Sequence, residues 1–159
     1  MIKLQKEVAE LFEDPDARKA VATVDERGVP HVVFKNFLAI LEDETIAYAE
    51  RLDSTQSNKN MVWSIWFDKT VAITAIKDTT AYQIKGKPYK CLIAGPIFKE
   101  FLIKVREKEG DDADIQSVRI IAPEEIIDET PSRRIREEEE KRPFFNRHLE
   151  RELLRKKKN

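Results

Sequence analysis

The chain has 159 residues, with 29 Lys plus Arg against 30 Asp plus Glu and a formal charge of -1. That balance argues against a domain built to hold nucleic acid, which carries a basic footprint. A single cysteine, Cys91, excludes an internal disulfide and a Cys-rich zinc or iron–sulfur site.

Leu4, Val8, Leu11 and Phe12 recur every three to four residues and predict a short helix with one apolar stripe. Asp14-Pro15-Asp16 ends it, because the residue before Pro disfavours helical geometry. Residues 20–24 are small or β-branched, Asp25-Glu26-Arg27-Gly28 reads as a tight turn, and His31-Val32-Val33-Phe34 resumes as the second arm of a hairpin. Further strands are expected at 37–41 and 45–49, separated by Glu42-Asp43-Glu44. Residues 54–64 then read as a polar loop entering a short helix, with Ser54 the expected N-cap.

Residues 71–76 and 82–86 predict two more strands, the second continuing through Tyr89, Cys91 and Ile93 on one face. A helix from Pro96 to about Lys108 follows, with Pro at its tolerated first position and Gly110 as its exit. A last strand is expected at 116–121. The pattern is mainly β with short helices: a six-or-more-stranded antiparallel barrel, since the crossovers are too brief for repeated strand–helix–strand units.

Residues 133–159 differ in character, with eleven basic and six acidic side chains. They read as a charged helical C-terminal extension to a domain spanning residues 1–132. A helix is expected from Arg134 to Arg142, broken at Pro143, with Phe145, Leu149 and Leu153 set to pack on the barrel or a partner. No window approaches the roughly 20 apolar residues of a membrane span. The first residues lack the apolar core of a signal peptide. A soluble, cytoplasmic protein with no membrane or nucleic-acid partner is therefore expected.

Four glycines in the whole chain leave no dinucleotide or nucleoside-triphosphate loop. His31 and His148 are the only histidines, so a His-rich metal cage is excluded and no metal is expected. His31 reads first as a strand histidine completing a local hydrogen-bond network, with acid–base work as the alternative. Cys91 reads as a buried structural thiol before a nucleophile. The polar run Asp53 to Asn60 carries hydroxyls, amides and Lys59, a composition suited either to loop capping or to phosphate oxygens, with Arg51 nearby. Trp63, Trp66 and Phe67 suit a planar ligand or helix-to-core packing.

Lys19 to Val33 resembles the opening hairpin of the pyridoxamine 5'-phosphate oxidase-like, FMN-binding split-barrel superfamily. Ser54 to Met61 resembles its phosphate-binding turn and following helix, and Tyr82 to Gly86 with Gly95 to Phe98 its late hairpin and helix entry. The matches span residues 17–109. Family members place Lys-Thr, two variable residues and Asn-Leu at the phosphate turn. Here that motif lies on Ser54-Thr55 with Asn58, or on Gln56-Ser57 with Asn60-Met61, and both lack the leading lysine.

The resemblance implies a split β-barrel homodimer with FMN at the subunit interface. Ser57 and Asn60 would bind the phosphate, assisted by Thr55, Lys59 and Arg51. Val33, Phe34, Lys35 and Asn36 would border the flavin or its ribityl chain, and Lys85 would approach from the late hairpin. The leading expectation is an FMN-dependent oxidoreductase acting on a small organic or nicotinamide-derived redox partner, with no catalytic residue assigned. The alternatives are a noncatalytic FMN-binding electron carrier and a cofactor-free structural split-barrel dimer.

Overall fold

A computed structural model of the chain describes residues 2–142 and 148–157. The elements in order are α1 (Lys6–Glu13), β1 (Arg18–Val24), β2 (Pro30–Phe34), β3 (Leu38–Ile40), β4 (Ile46–Glu50), α2 (Gln56–Trp66), β5 (Val71–Lys77), β6 (Thr80–Leu92), α3 (Pro96–Glu109), β7 (Ser117–Asp128), α4 (Pro131–Lys141) and α5 (His148–Lys156). The strands make one antiparallel sheet in the order β2-β1-β5-β6-β7-β4-β3. It curls into a half-barrel, the expected split β-barrel.

Two apolar clusters hold the curl. Val8, Leu11 and Phe12 of α1 and Met61 of α2 pack with Val21, Ile73, Ile84 and Ile121 inside it. Phe101 and Val105 of α3 cover the other side with Ala49, Val118 and Ile120. Strand β4 serves both. Ile46 and Tyr48 join the first cluster and Ala47 and Ala49 the second, which is why all its residues are buried.

Bulges shape the long pair β6–β7. The register jumps between Lys85 and Gly86 and again between Pro88 and Lys90. At the first jump only glycine fits: a Cβ on Gly86 would lie 2.4 Å from the Ala122 carbonyl oxygen. Pro123 opposes Gly86 there, so β7 runs on to Asp128 through a proline and well past the expected end at 121.

Three other expectations are corrected. Thr55, not Ser54, caps α2, its hydroxyl accepting from the Asn58 N–H at 3.1 Å. Cys91 is exposed rather than buried, because β5 stops pairing at Gly86 and leaves the last stretch of β6 with β7 alone beside it. Leu153 on α5 is exposed, so it does not pack on the barrel. The break at Pro143 and the side-chain contacts of Phe145 and Leu149 fall outside the described residues. Among the described residues, no helix is long and apolar enough to cross a membrane.

Candidate functional site

One face of the β4–β7 pair changes from apolar to polar along its length. Ile46 opposes Ile121, then Tyr48 opposes Arg119, then Glu50 opposes Ser117. Strand alternation puts these residues on a common face, and Glu50 brings a carboxylate to the polar end. Glu50 is 1% exposed and cannot stay there without partners. Lys35, just beyond β2, supplies the main one, its ammonium lying 2.8 Å from each carboxylate oxygen.

The start of α2 completes this cluster. Lys35 also donates to the Ser57 hydroxyl at 3.3 Å, and Ser57 donates to Glu50 at 3.2 Å. The Thr55 hydroxyl lies 3.4 Å from the same carboxylate. Next to it, buried Arg119 donates to the Asn58 side-chain oxygen. The Arg119 Nε and the Tyr48 hydroxyl have no partner among the described residues. Burial, reinforced by the Glu50 charge, pushes the Tyr48 hydroxyl's pKa upward and keeps it a neutral donor.

Two clefts flank the beginning of α2. The smaller, about 230 Å³, is lined by Phe34, Lys35, Asn36, Arg51 and Thr55, with Glu50 and Glu109 among its other walls. The larger, about 420 Å³, is lined by Arg27, Gln56, Lys59, Asn60 and Trp63 with Asp25 and Glu26. Trp63 stacks on Phe67 with ring centroids 3.9 Å apart, while Trp66 is exposed, so the aromatic run neither enters the core as a unit nor gathers at one cleft.

The expected contacts therefore separate. Phe34, Lys35 and Asn36, at and just beyond the end of β2, converge on the smaller cleft with Arg51 and Thr55 from the connection between β4 and α2, across the intervening β3 and β4. Lys59 and Asn60 face the other. Ser57 and Asn60 are buried, and their polar atoms already have partners: Asn60 donates to the Thr23 hydroxyl at 3.0 Å and accepts from Gln56 at 2.7 Å. Arg51 donates to the Asp114 carbonyl at 2.9 Å and pairs with Glu109. Val33 and Lys85 line neither cleft; Lys85 pairs with Glu125 at 3.1 Å. His31 is half-buried opposite Thr23, with no side-chain hydrogen bond among the described residues.

Sequence reasoning missed Glu50 and Arg119. The available signal was a charge standing at a core-facing parity: Glu50 two residues after Tyr48, and Arg119 two before Ile121. Among the described residues, no group of three or more His, Cys, Asp or Glu side chains is placed to hold a metal ion.

No protein-family model and no curated protein matches the chain. Solved structures do. HupZ of Group A Streptococcus matches with a TM-score of 0.66 at 20% identity, over 81% of this chain and 96% of that one. A candidate pyridoxamine 5'-phosphate oxidase from Lactobacillus delbrueckii matches at 0.60 and 22% identity, over 79% and 93%. An FMN-binding protein from Syntrophomonas wolfei matches at 0.62 and 12%, over 75% and 81%. The fold is that of the pyridoxamine 5'-phosphate oxidase-like split barrel. Within this split barrel, both clefts lie in the span of the chain from Asp25 to Glu109.

Proposed function

We propose that this split barrel binds FMN and works as an FMN-dependent oxidoreductase on a small organic or nicotinamide-derived redox partner. The observation that carries the reading is the convergence of Phe34, Lys35, Asn36, Arg51 and Thr55 on one cleft. The fold likeness to an FMN-binding protein supports it.

The donor chemistry fits a phosphorylated flavin. Arg51 offers a planar guanidinium, Thr55 a hydroxyl, and the first turn of α2 its unpaired N–H groups and positive dipole end. Asn36 offers an amide suited to ribityl hydroxyls, and Phe34, 68% exposed, an apolar edge suited to a flavin ring. The phosphate role therefore moves from Ser57, which is sealed, and Asn60, which faces the other cleft with its amide already bonded to Thr23 and Gln56, to Arg51 and Thr55. Bound FMN would supply the hydride and electron chemistry, while these side chains orient it and exclude water.

A cleft of about 230 Å³ is small beside the ~300–1,000 Å³ of ordinary ligand pockets. A second copy of the chain, closing over exposed Phe34, would enlarge and seal it, in keeping with a homodimer. Purified protein should show an oxidised-flavin spectrum and release a mononucleotide of FMN mass. Failure to take up added FMN defeats the reading. Anaerobic reduction followed by rapid mixing with candidate acceptors tests the enzyme claim; bound FMN without turnover would leave an electron carrier.

A further inference from the structure

We infer that Glu50 sets how strongly this cleft distinguishes a phosphorylated flavin from one without phosphate; the inference rests on the flavin reading above. Glu50 is a resident anion beside Lys35 and Thr55, two of the donors that line this cleft.

An ammonium has three protons to give. Lys35 directs two contacts to the Glu50 oxygens and one to Ser57. Ser57 has one hydroxyl proton, with the Glu50 carboxylate and the Thr55 hydroxyl both 3.2 Å away. Thr55 lies within 3.4 Å of the same carboxylate. The two cleft-lining donors here, Lys35 and Thr55, thus already lie against a protein carboxylate, and buried Ser57 braces it from behind. The first turn of α2 has no acidic residue of its own, so Glu50 also supplies the negative charge that this helix end favours.

A phosphate brought to the cleft must share these donors with Glu50 and bear its like charge at short range and low dielectric. The phosphate's counter-charge from Lys35 is spent on Glu50. A riboflavin tail carries no charge and meets no such penalty. Binding then leans on Arg51, Asn36 and the ring contacts, and the phosphate adds less affinity than an open Lys35 would allow. Glu50→Gln keeps the shape, removes the charge and frees the ammonium. Lys35→Gln/Glu50→Gln removes both charges and leaves the net charge as it was.

The test uses full-length protein stripped of flavin and titrated with FMN and riboflavin by flavin fluorescence. For Glu50→Gln, FMN should bind at least about tenfold tighter while riboflavin changes less than about twofold. The double variant should return to the wild-type FMN-to-riboflavin ratio. An unchanged ratio in Glu50→Gln overturns the inference. So does a double variant that loses its FMN preference, because Lys35 would then hold phosphate regardless of Glu50. If Glu50→Gln fails to fold, the double variant, whose neutral amide pair replaces the ion pair, still overturns the inference by losing its FMN preference.

Inorganic phosphate supplies an arm independent of flavin. It should raise the melting temperature of Glu50→Gln more than that of wild type or the double variant. That result with no flavin bound by any variant defeats the flavin reading and keeps the role of Glu50. Equal stabilisation of wild type and Glu50→Gln by phosphate defeats the role of Glu50.

Discussion

Glu50 accepts from Lys35 through both carboxylate oxygens, each 2.8 Å from the ammonium, and the pair is almost fully buried. A buried ion pair costs desolvation on both sides, so its net worth is small, but removing one partner strands the other. Glu50→Ala should therefore destabilise by about 3–5 kcal/mol. Lys35→Met combined with Glu50→Leu should recover most of that loss, though Ser57 still forfeits its acceptor. Urea unfolding of the two variants checks the ordering; equal losses would mean that the pair itself, not the stranded charge, carries the stability.

The cap of α2 gives a sharper test of local structure. Thr55 satisfies the Asn58 N–H, while Ser54 is exposed and makes no cap. Thr55→Ala should cost about 0.5–2 kcal/mol, and Ser54→Ala close to none. Thermal melts of both variants distinguish the positions directly.

Much of this fold was legible in the sequence where periodicity and punctuation agree. Pro96 and Gly110 bracket α3, and the apolar stripe from Leu4 to Phe12 gives α1. The missed part of β7 shows the limit. The expected strand stopped at 121, two residues short of Pro123, but a proline is harmless at a bulge opposite Gly86, and that bulge belongs to the pairing rather than to either strand. Cys91 failed for a similar reason, since its exposure depends on where β5 ends. At the candidate site, the polar residues after Arg51 stood out by composition. Which hydroxyls stay open depended on Lys35 and Glu50 meeting across the fold, and nothing local to residues 54–60 records that meeting.

Gly86 is predicted to tolerate replacement less well than Gly28. Its added Cβ would lie 2.4 Å from the Ala122 oxygen and 2.9 Å from Ile121 Cγ2, both fixed by the β6–β7 pairing. Gly86→Ala should cost about 1–3 kcal/mol through forced separation of the strands. Gly28→Ala meets no atom within 4 Å and pays only for its φ of +79°, about 1–2 kcal/mol. Hydrogen exchange should show loosened β6–β7 amides in the first variant and intact ones in the second.

Acid should unfold this chain through carboxylates tied to its termini. Arg133, at the start of α4, donates to Glu7 of α1 at 2.9 Å and to Asp128 of β7 at 2.8 Å. The Arg133 hydrogen bond, then that of Tyr82, lowers the Glu7 pKa. For Asp128, burial pushes upward but is outweighed by hydrogen bonds from Arg133 and Thr130, so its pKa also falls. Asp14 is lowered by Lys77, then by the Asp16 N–H. Carboxylates held low when folded stabilise the protein fully above their unfolded pKa of about 4, and that contribution disappears as pH falls through the folded values. The urea midpoint should thus be level from about pH 8 to 5 and decline below about pH 4. Arg133→Gln should lower the midpoint at pH 7 and converge toward wild type near pH ~3, where Glu7 and Asp128 are losing their charge in both proteins. A constant gap between the two proteins across that range would mean that Arg133 acts through packing on Tyr82 rather than through its carboxylate partners.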